Sequence, residues 1–94
     1  MSIKFEWDSR KAQENLRKHR IEFSEASTVF ADSLSITIPD PDHSASEQRW
    51  LTMGLSIRQR LLVVVHTEEE ETMRIISARP ANRLERRKYE EGKS

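Results

Sequence analysis

The sequence predicts an α+β protein in which a small, mostly antiparallel sheet carries its helices on one face. Two observations predict this class: segments with apolar residues at every second position are mixed with segments of helical spacing, and the strand-like segments outnumber the helical ones. The predicted order is β-α-α-β-β-β-β-α. The chain has only two glycines, no linker-like stretch and no repeat, so residues 1–94 are expected to form a single domain around one core.

The first half of the chain predicts a strand, two helices and a second strand. Residues 3–7, IKFEW, alternate apolar and charged side chains, as a half-buried strand does. Asp8 is suited to cap the helix that follows. A second, short helix ends near residue 31, and the β-branched segment LSITIP, residues 34–39, predicts a strand that stops at a proline-rich turn. Residues 43–48 predict a polar loop or helical turn.

The strand predicted over residues 50–57, WLTMGLSI, has two different faces. One set of alternating residues is entirely apolar: Leu51, Met53, Leu55 and Ile57. The other set contains small and polar side chains: Trp50, Thr52, Gly54 and Ser56. Because successive side chains of a strand point to opposite sides, we expect the apolar set to face the core and the other set to be open to a ligand.

The rest of the chain predicts two strands and a helix. Residues 61–67, LLVVVHT, are apolar on both faces and predict a central strand, and the four glutamates at 68–71 predict an exposed turn. Residues 72–78, TMRIISA, are the last predicted strand. Pro80 suits the first turn of a charged helix over residues 81–91.

The composition excludes several classes of protein. The chain has no cysteine, and its three histidines share no local spacing that suggests a zinc site, so we expect no metal and no other cofactor. No apolar run is long enough to cross a membrane, and the first residues lack the apolar stretch of a signal peptide. The expected location is the cytoplasm, without a membrane partner.

The formal net charge is zero, but the charge is unevenly distributed. Residues 1–47 carry six Lys and Arg against nine Asp and Glu, whereas residues 48–94 carry ten against seven. Residues 74–88 alone contain six basic side chains and one acidic one. Because screening limits the reach of distant charges, a local basic surface can bind phosphates even in a neutral protein.

The arginines of this basic segment are candidates to bind phosphate. Arg79 stands where the last strand becomes the helix, Arg83 follows one helical turn later, and Ser77 shares a strand face with Arg79. Arg74 and Arg79 are an odd number of residues apart, so a regular strand would send them to opposite faces. Only a bulge, or a strand end before Arg79, would bring both to one site.

Two further motifs could move protons, although neither is specific. His66 ends an apolar strand and has an unperturbed pKa near neutrality, but a lone histidine in this position is more often structural. Glu47 and Arg49 flank Gln48 just before a strand. They form either an acid–base pair or a surface ion pair worth about 0–1 kcal/mol.

Four segments carry a resemblance to a known family: residues 5–32, residues 39–50, LLVVVHTE at 61–68 and RIISARPANRLERRKYEE at 74–91. The most specific pieces are WD…K…N…KH near the start and RIISAR…ER…YE near the end. In order and without large gaps, they resemble the BrnT family, toxins of bacterial and archaeal type II toxin–antitoxin systems. The family usually has glycine after the KH pair, where this chain has Arg20.

The resemblance implies a RelE-like fold and a metal-independent endoribonuclease that cleaves RNA and inhibits translation. It also implies a BrnA-like antitoxin with a ribbon-helix-helix module as partner. Attack of a 2′-hydroxyl on the adjacent phosphate would need a base, an acid and cations. The candidate catalytic residues are Arg79, Arg74, His66 and Glu47. The candidate RNA-binding residues are Arg49, Arg83 and Ser77.

An alternative is a non-catalytic module that docks a partner protein through its basic C-terminal strand and helix. The endoribonuclease and the non-catalytic module both predict a basic groove, but only the endoribonuclease should cleave RNA with turnover. Direct DNA binding by this chain is not expected, because its net charge is zero and it has no helix-turn-helix pattern.

Overall fold

The computed structural model describes residues 3–41 and 47–93, so most of the predicted loop at 43–48, with His43, lies outside the described residues. Within them five strands form one sheet: β1 (Lys4–Trp7), β2 (Ile36–Pro39), β3 (Trp50–Leu55), β4 (Leu61–Glu69) and β5 (Thr72–Pro80). The helices are α1 (Ser9–His19), α2 (Phe23–Ser27), a short 3₁₀ helix (Thr28–Ala31) and α3 (Arg83–Lys93). The predicted order of elements is confirmed, with the 3₁₀ helix extending α2.

The sheet is mixed. Its strand order is β1-β5-β4-β3-β2, and β1 runs parallel to β5 while the other three pairings are antiparallel. The prediction of a mostly antiparallel sheet therefore needs a correction at β1. The alternation of IKFEW indicates a strand but carries no information about its partner, and that partner is the last strand of the sheet.

The core lies between one face of the sheet and the helices α1 and α2. Its buried members come from the helices, the turn between α1 and α2, β4 and β5: Ile21, Phe23, Ala26, Val29, Leu62, Val64, Ile75 and Ala78. Asn15 of α1 is buried among them, and its polar atoms are hydrogen-bonded there. Its amide nitrogen donates to the Ile21 carbonyl at 2.9 Å, and its oxygen accepts from the Ala78 N–H at 3.0 Å. These two bonds fasten α1 to the turn after it and to β5.

The mixed face of β3 is buried, so the prediction that it is open is wrong. Thr52, Gly54 and Ser56 are buried. The Thr52 hydroxyl is satisfied by hydrogen bonds to the Thr37 hydroxyl at 2.8 Å and to Nε2 of His66 at 2.7 Å. A small polar residue can face a core when its hydrogen bonds are made there.

Gly54 and Ser56 are buried for a different reason, which is their contact with the helical layer. A Cβ atom at Gly54 would lie 2.8 Å from Cγ1 of Val29, so only glycine lets the 3₁₀ helix approach β3 this closely. The Ser56 hydroxyl donates to Oε2 of Glu25 at 2.7 Å, and Arg60 donates to both oxygens of that carboxylate. The hydrogen bonds from Arg60 hold the pKa of the buried Glu25 below its usual value.

Helix α3 lies against the opposite face of the sheet, so the prediction that all helices cover one face is wrong. A cavity of about 160 Å³ lies between α3 and the apolar residues of that face; it is lined by Ile36, Ile38, Leu51, Met53, Val63, Glu85 and Lys88. Leu84 is 67% exposed, whereas Tyr89 is buried and its hydroxyl donates to Oδ2 of Asp32 at 2.5 Å. Polar contacts, more than apolar packing, hold α3 in place.

Candidate functional site

A bulge in β5 brings the two arginines that flank it to the same face of the sheet. Val63, Val65 and Thr67 are alternate residues of β4 and so lie on one face of the sheet. Their partners in β5 are Arg79, Ser77 and Arg74, in that order. The register shifts next to Val65, where β5 contains one more residue than β4. Directly paired residues point to the same side, so these three β5 side chains share one face. We call it the arginine face; it lies opposite the core.

Arg79 is held by a bidentate ion pair with the first turn of α3. Its Nη1 and Nη2 atoms donate to Oε1 and Oε2 of Glu85, each at 2.8 Å, and Nη1 also lies 3.3 Å from the Pro80 carbonyl. The pair raises the pKa of Arg79 and lowers that of Glu85. The Arg79 side chain is 40% exposed, and its Nε–H and one N–H of Nη2 have no partner within residues 3–41 and 47–93.

Glu85 is not among the site residues predicted from the sequence, although the sequence contains a signal for it. Asn82 and Glu85 have the spacing of a capping box, in which the cap and the third helical residue bond to each other. In the structure the Asn82 N–H donates to Oε1 of Glu85 at 2.9 Å, and the Glu85 N–H donates to Oδ1 of Asn82 at 2.8 Å. The same carboxylate thus starts α3 and orients Arg79.

Arg74 lies at the other end of the arginine face. Its Nη1 donates to Oε1 of Glu6, its direct partner in β1, at 3.2 Å. Both side chains are about half exposed, at 48% and 55%, so this is a surface ion pair worth about 0–1 kcal/mol. The Arg74 guanidinium is drawn toward β1, whereas that of Arg79 is drawn toward α3, so the two do not meet at one point.

Arg49 extends the same face just before β3. The Asp40 N–H donates to the Arg49 carbonyl at 2.9 Å, which continues the β2–β3 ladder one residue past Trp50. By strand alternation Arg49 shares a side with Leu51, on the arginine face. Its Nε lies 3.7 Å from Oε1 of the exposed Glu47, so the predicted Glu47–Arg49 pair is present, but this Nε is buried and makes no hydrogen bond within the described residues.

His66 lies on the core side of the sheet, away from the arginines. It is completely buried, with Nε2 bonded to Thr52 and its ring 4.8 Å from the ring of Phe30 in an edge-on contact. Burial lowers the pKa of His66 to about 4. The sequence suggested a catalytic His66, but the structure does not bring this side chain to the arginine face. The sequence places His66 in a central strand but does not show which face of the sheet its side chain lies on, because that depends on the pairing of β4 with its neighbours.

Ser77 and Arg83 complete the set of predicted residues. Ser77 is half-buried in the middle of the arginine face, between Arg74 and Arg79. Arg83 is exposed at the start of α3. The structure thus brings Arg74, Ser77 and Arg79 together on one face and adds Arg49 at its edge.

No group of three or more His, Asp or Glu side chains in residues 3–41 and 47–93 is placed to hold a metal ion. No helix in those residues is both long and apolar enough to cross a membrane.

Comparison with known proteins gives the class of protein to which this chain belongs, which is the ribonuclease toxins of type II toxin–antitoxin systems. A family model described as "Ribonuclease toxin, BrnT, of type II toxin-antitoxin system" matches residues 7–85. The chain belongs to the BrnT family, and the resemblance found in the sequence is confirmed.

A solved structure supports the fold. The crystal structure of the Brucella abortus ribonuclease toxin, BrnT, superposes with a TM-score of 0.63 at 21% sequence identity, covering 87% of this chain and 100% of that one. Comparison with curated protein sequences found no match. At this level of identity the structural likeness shows a shared fold.

Proposed function

We propose that this chain is a metal-independent endoribonuclease that cleaves RNA, inhibits translation in the cytoplasm, and is neutralised by a BrnA-like ribbon-helix-helix antitoxin. Residues 1–94 would form one toxin domain. One observation carries the proposal: the Arg79 side chain is 40% exposed and is fixed by Glu85 of α3, and these bonds leave its Nε–H and one N–H of Nη2 unused. The RelE-like relationship that the sequence resemblance implies stays a prediction.

The open edge of Arg79 suits the charge that develops during RNA cleavage. Attack of the 2′-hydroxyl on the adjacent phosphorus adds negative charge to the phosphoryl oxygens, and an arginine fork can bind two of those oxygens. Because Glu85 already holds the guanidinium in place, little reorganisation is needed when the phosphate arrives. Arg79 is therefore the residue proposed to stabilise the transition state.

The proton acceptor in this scheme is a carboxylate. Glu85 lies beside Arg79, but the hydrogen bonds from Arg79 that lower its pKa also make it a weak base, so its role is to hold Arg79 in place. Glu47, which lies near Arg49 at the edge of the face, is the candidate for the proton acceptor. His66 drops out of the scheme because it is buried on the other side of the sheet.

The test uses purified chain free of antitoxin, incubated with RNA in EDTA. We expect cleavage, and we expect a matched oligonucleotide with a 2′-deoxy sugar at the cleaved position to resist, because the attacking hydroxyl is missing. RNA that stays intact under all conditions would contradict the enzyme assignment. Cleavage that appears only on adding a divalent metal would contradict metal independence.

A non-catalytic module is the second candidate, and the surface of α3 favours it. Leu84 is 67% exposed and is accompanied by exposed cations at Arg83, Arg87 and Lys88. Such a surface suits a partner segment that combines acidic and apolar side chains. If the purified chain binds its antitoxin but never turns over RNA, this alternative replaces the first. Direct DNA binding by this chain is not part of either candidate.

A further inference from the structure

Arg79 and Arg74 share a face but are too far apart to bind one phosphate. Their partners in β4, Val63 and Thr67, are four residues apart, which corresponds to about 13 Å along the strand. Their side chains also diverge, because Arg79 pairs with Glu85 of α3 and Arg74 with Glu6 of β1. The face therefore offers two separate positions for an anion.

The second position has more than one cation. Arg49 directly precedes Trp50, whose partner in β4 is His66, so continuing this register by one residue places Arg49 opposite Thr67. Thr67 is in turn paired with Arg74. Neighbouring strands are about 4.8 Å apart, so the long side chains of Arg49 and Arg74 can both reach an anion placed over Thr67. The hydroxyl of Thr67 adds a donor between them.

The ion pairs that these arginines now make do not block the position. The Arg74–Glu6 contact is a single exposed bond of 3.2 Å, and Arg49 contacts Glu47 at 3.7 Å. The exposed Arg74–Glu6 pair is weak, so a phosphate can displace it at small cost, and the buried Nε of Arg49 makes no hydrogen bond within the described residues. Between the two positions, the described residues of β5 and β4 on this face are Ser77 and Val65, which are uncharged.

We propose that Arg74, Arg49 and Thr67 form a second phosphate subsite, about two internucleotide linkages from the phosphate that Arg79 holds. The proposal rests on the proposed function and specifies its substrate as single-stranded RNA extended along β5. An extended strand can follow a β-strand, whereas an A-form duplex curves away from it. Arg74 is then a binding residue that never touches the reacting phosphate.

The test compares a short and a long substrate in EDTA. The short one is a dinucleotide, and the long one is a heptamer of deoxynucleotides with a single central ribonucleotide, so that cleavage is confined to one linkage. We expect wild-type kcat/KM to be about tenfold higher for the heptamer, because only it reaches the second subsite. Arg74→Ala should remove most of this advantage by raising KM, whereas Arg79→Ala should impair both substrates.

Arg17→Ala is the matched control, because Arg17 is an exposed cation on α1, across the sheet from the arginine face. We expect it to change neither substrate's rate by more than about twofold. If Arg74→Ala lowers kcat/KM by the same factor for dinucleotide and heptamer, or changes neither, the second subsite is overturned.

A neutral methylphosphonate linkage locates the contact more closely. The neutral linkage is placed two linkages from the central ribonucleotide, on the side that faces Arg74. It should lower the wild-type kcat/KM by the same factor as Arg74→Ala does, and it should lower the kcat/KM of Arg74→Ala little further. If a neutral linkage at each position tested lowers kcat/KM by the same factor in Arg74→Ala as in the wild type, none of the replaced phosphates contacts Arg74. That result would overturn the subsite.

Failure of the proposed function can be told apart from failure of the subsite. If the wild type cleaves neither substrate, fluorescence anisotropy with an all-deoxy heptamer decides the second question. About tenfold weaker binding by Arg74→Ala and by Arg49→Ala, relative to Arg17→Ala, would support the subsite without catalysis. Equal affinities of all three variants would overturn it.

Discussion

Arg20 holds a left-handed backbone conformation, with φ 61° and ψ 32°, at the end of α1. Its N–H donates to the Leu16 carbonyl at 2.9 Å, and its own carbonyl accepts from Nη2 of Arg60 at 3.2 Å. The sequence resemblance to the BrnT family implies glycine at this position, and here an arginine takes the left-handed conformation instead. The conformation is imposed by the surrounding hydrogen bonds, because a residue with a Cβ atom adopts it only at a cost.

Arg20→Gly is therefore expected to stabilise the chain. Glycine relieves the steric cost of positive φ, and part of the gain is offset by the greater freedom of the unfolded chain, leaving about 0.5–1 kcal/mol. Thermal unfolding followed by circular dichroism should show a Tm higher by about 2–8 °C. A Tm equal to or below that of the wild type would contradict the idea that this position is strained.

His66 is expected to make the stability depend on pH. Its pKa is about 4 in the folded chain and near 6.5 when exposed, so the unfolded state binds more protons between these values. The stabilisation is complete above about pH 6.5 and is lost as the pH falls toward 4, with a loss of about 2 kcal/mol by pH 5. Urea unfolding at about pH 7.5 and pH 5 measures this loss.

His66→Gln provides the control for the pH measurement. Glutamine does not titrate and can still bond to the Thr52 hydroxyl that Nε2 of His66 contacts at 2.7 Å. The free energy of unfolding of His66→Gln should therefore fall less than that of the wild type over the same pH interval. Parallel pH profiles for wild type and variant would show that His66 does not carry the effect.

The residues of the site were only partly predictable. Arg79 was found from its place between a strand and a helix, and that place does not depend on register. Glu85 could have been found from the capping-box spacing with Asn82, but its contact with Arg79 depends on α3 folding back against the sheet. The side on which His66 lies depends on which face of β4 the helices cover, and the apolar residues on both faces of β4 gave no sign of it.

At the scale of elements, the bulge in β5 decides the site. Without the extra residue near Ile76, Arg74 and Arg79 would point to opposite sides of the sheet. The sequence left this open, because no glycine or other local signal marks the irregularity. The bulge is seen only in the pairing of β5 with β4, which is a contact between distant parts of the chain.

Helix α3 is the element with the weakest attachment. It is tied to the sheet by the Glu85–Arg79 pair and to the 3₁₀ region by Tyr89 and Asp32, and a cavity lies beneath it. Burial and the bond to Asp32 raise the pKa of Tyr89 to about 12, so its hydroxyl stays a donor throughout the neutral range. Such an element is expected to open locally at a lower cost than the core strands.

Tyr89→Phe tests this attachment. Loss of the hydroxyl removes one hydrogen bond worth about 1 kcal/mol, and Asp32 keeps its bonds from the N–H groups of Leu34 and Leu55. Amide hydrogen exchange should become faster in α3 while the amides of β4 change little. Leu84→Ala, at a residue that is 67% exposed, is the control and should leave exchange in α3 slow. Unchanged exchange in Tyr89→Phe would show that α3 is held by other contacts.

At the scale of the whole molecule, the sequence indicates the class and the order of elements but not their arrangement in space. Alternation and capping signals are local, and the five strands and the helices follow in the predicted order. The parallel β1–β5 pair and the position of α3 on the second face join the two ends of the sequence. Local patterns carry no information about such contacts, so these were the points where the prediction failed.

The most direct test of the central claim is the rate at which antitoxin-free Arg79→Ala cleaves RNA in EDTA, compared with Arg17→Ala. Circular dichroism first shows that both variants are folded. If the open edge of Arg79 stabilises the cleaved phosphate, Arg79→Ala should be slower by about 10²–10³-fold, and Arg79→Lys should recover little because lysine has no fork. Arg17→Ala should cleave at nearly the wild-type rate. A folded Arg79→Ala that cleaves RNA as fast as Arg17→Ala would contradict the claim.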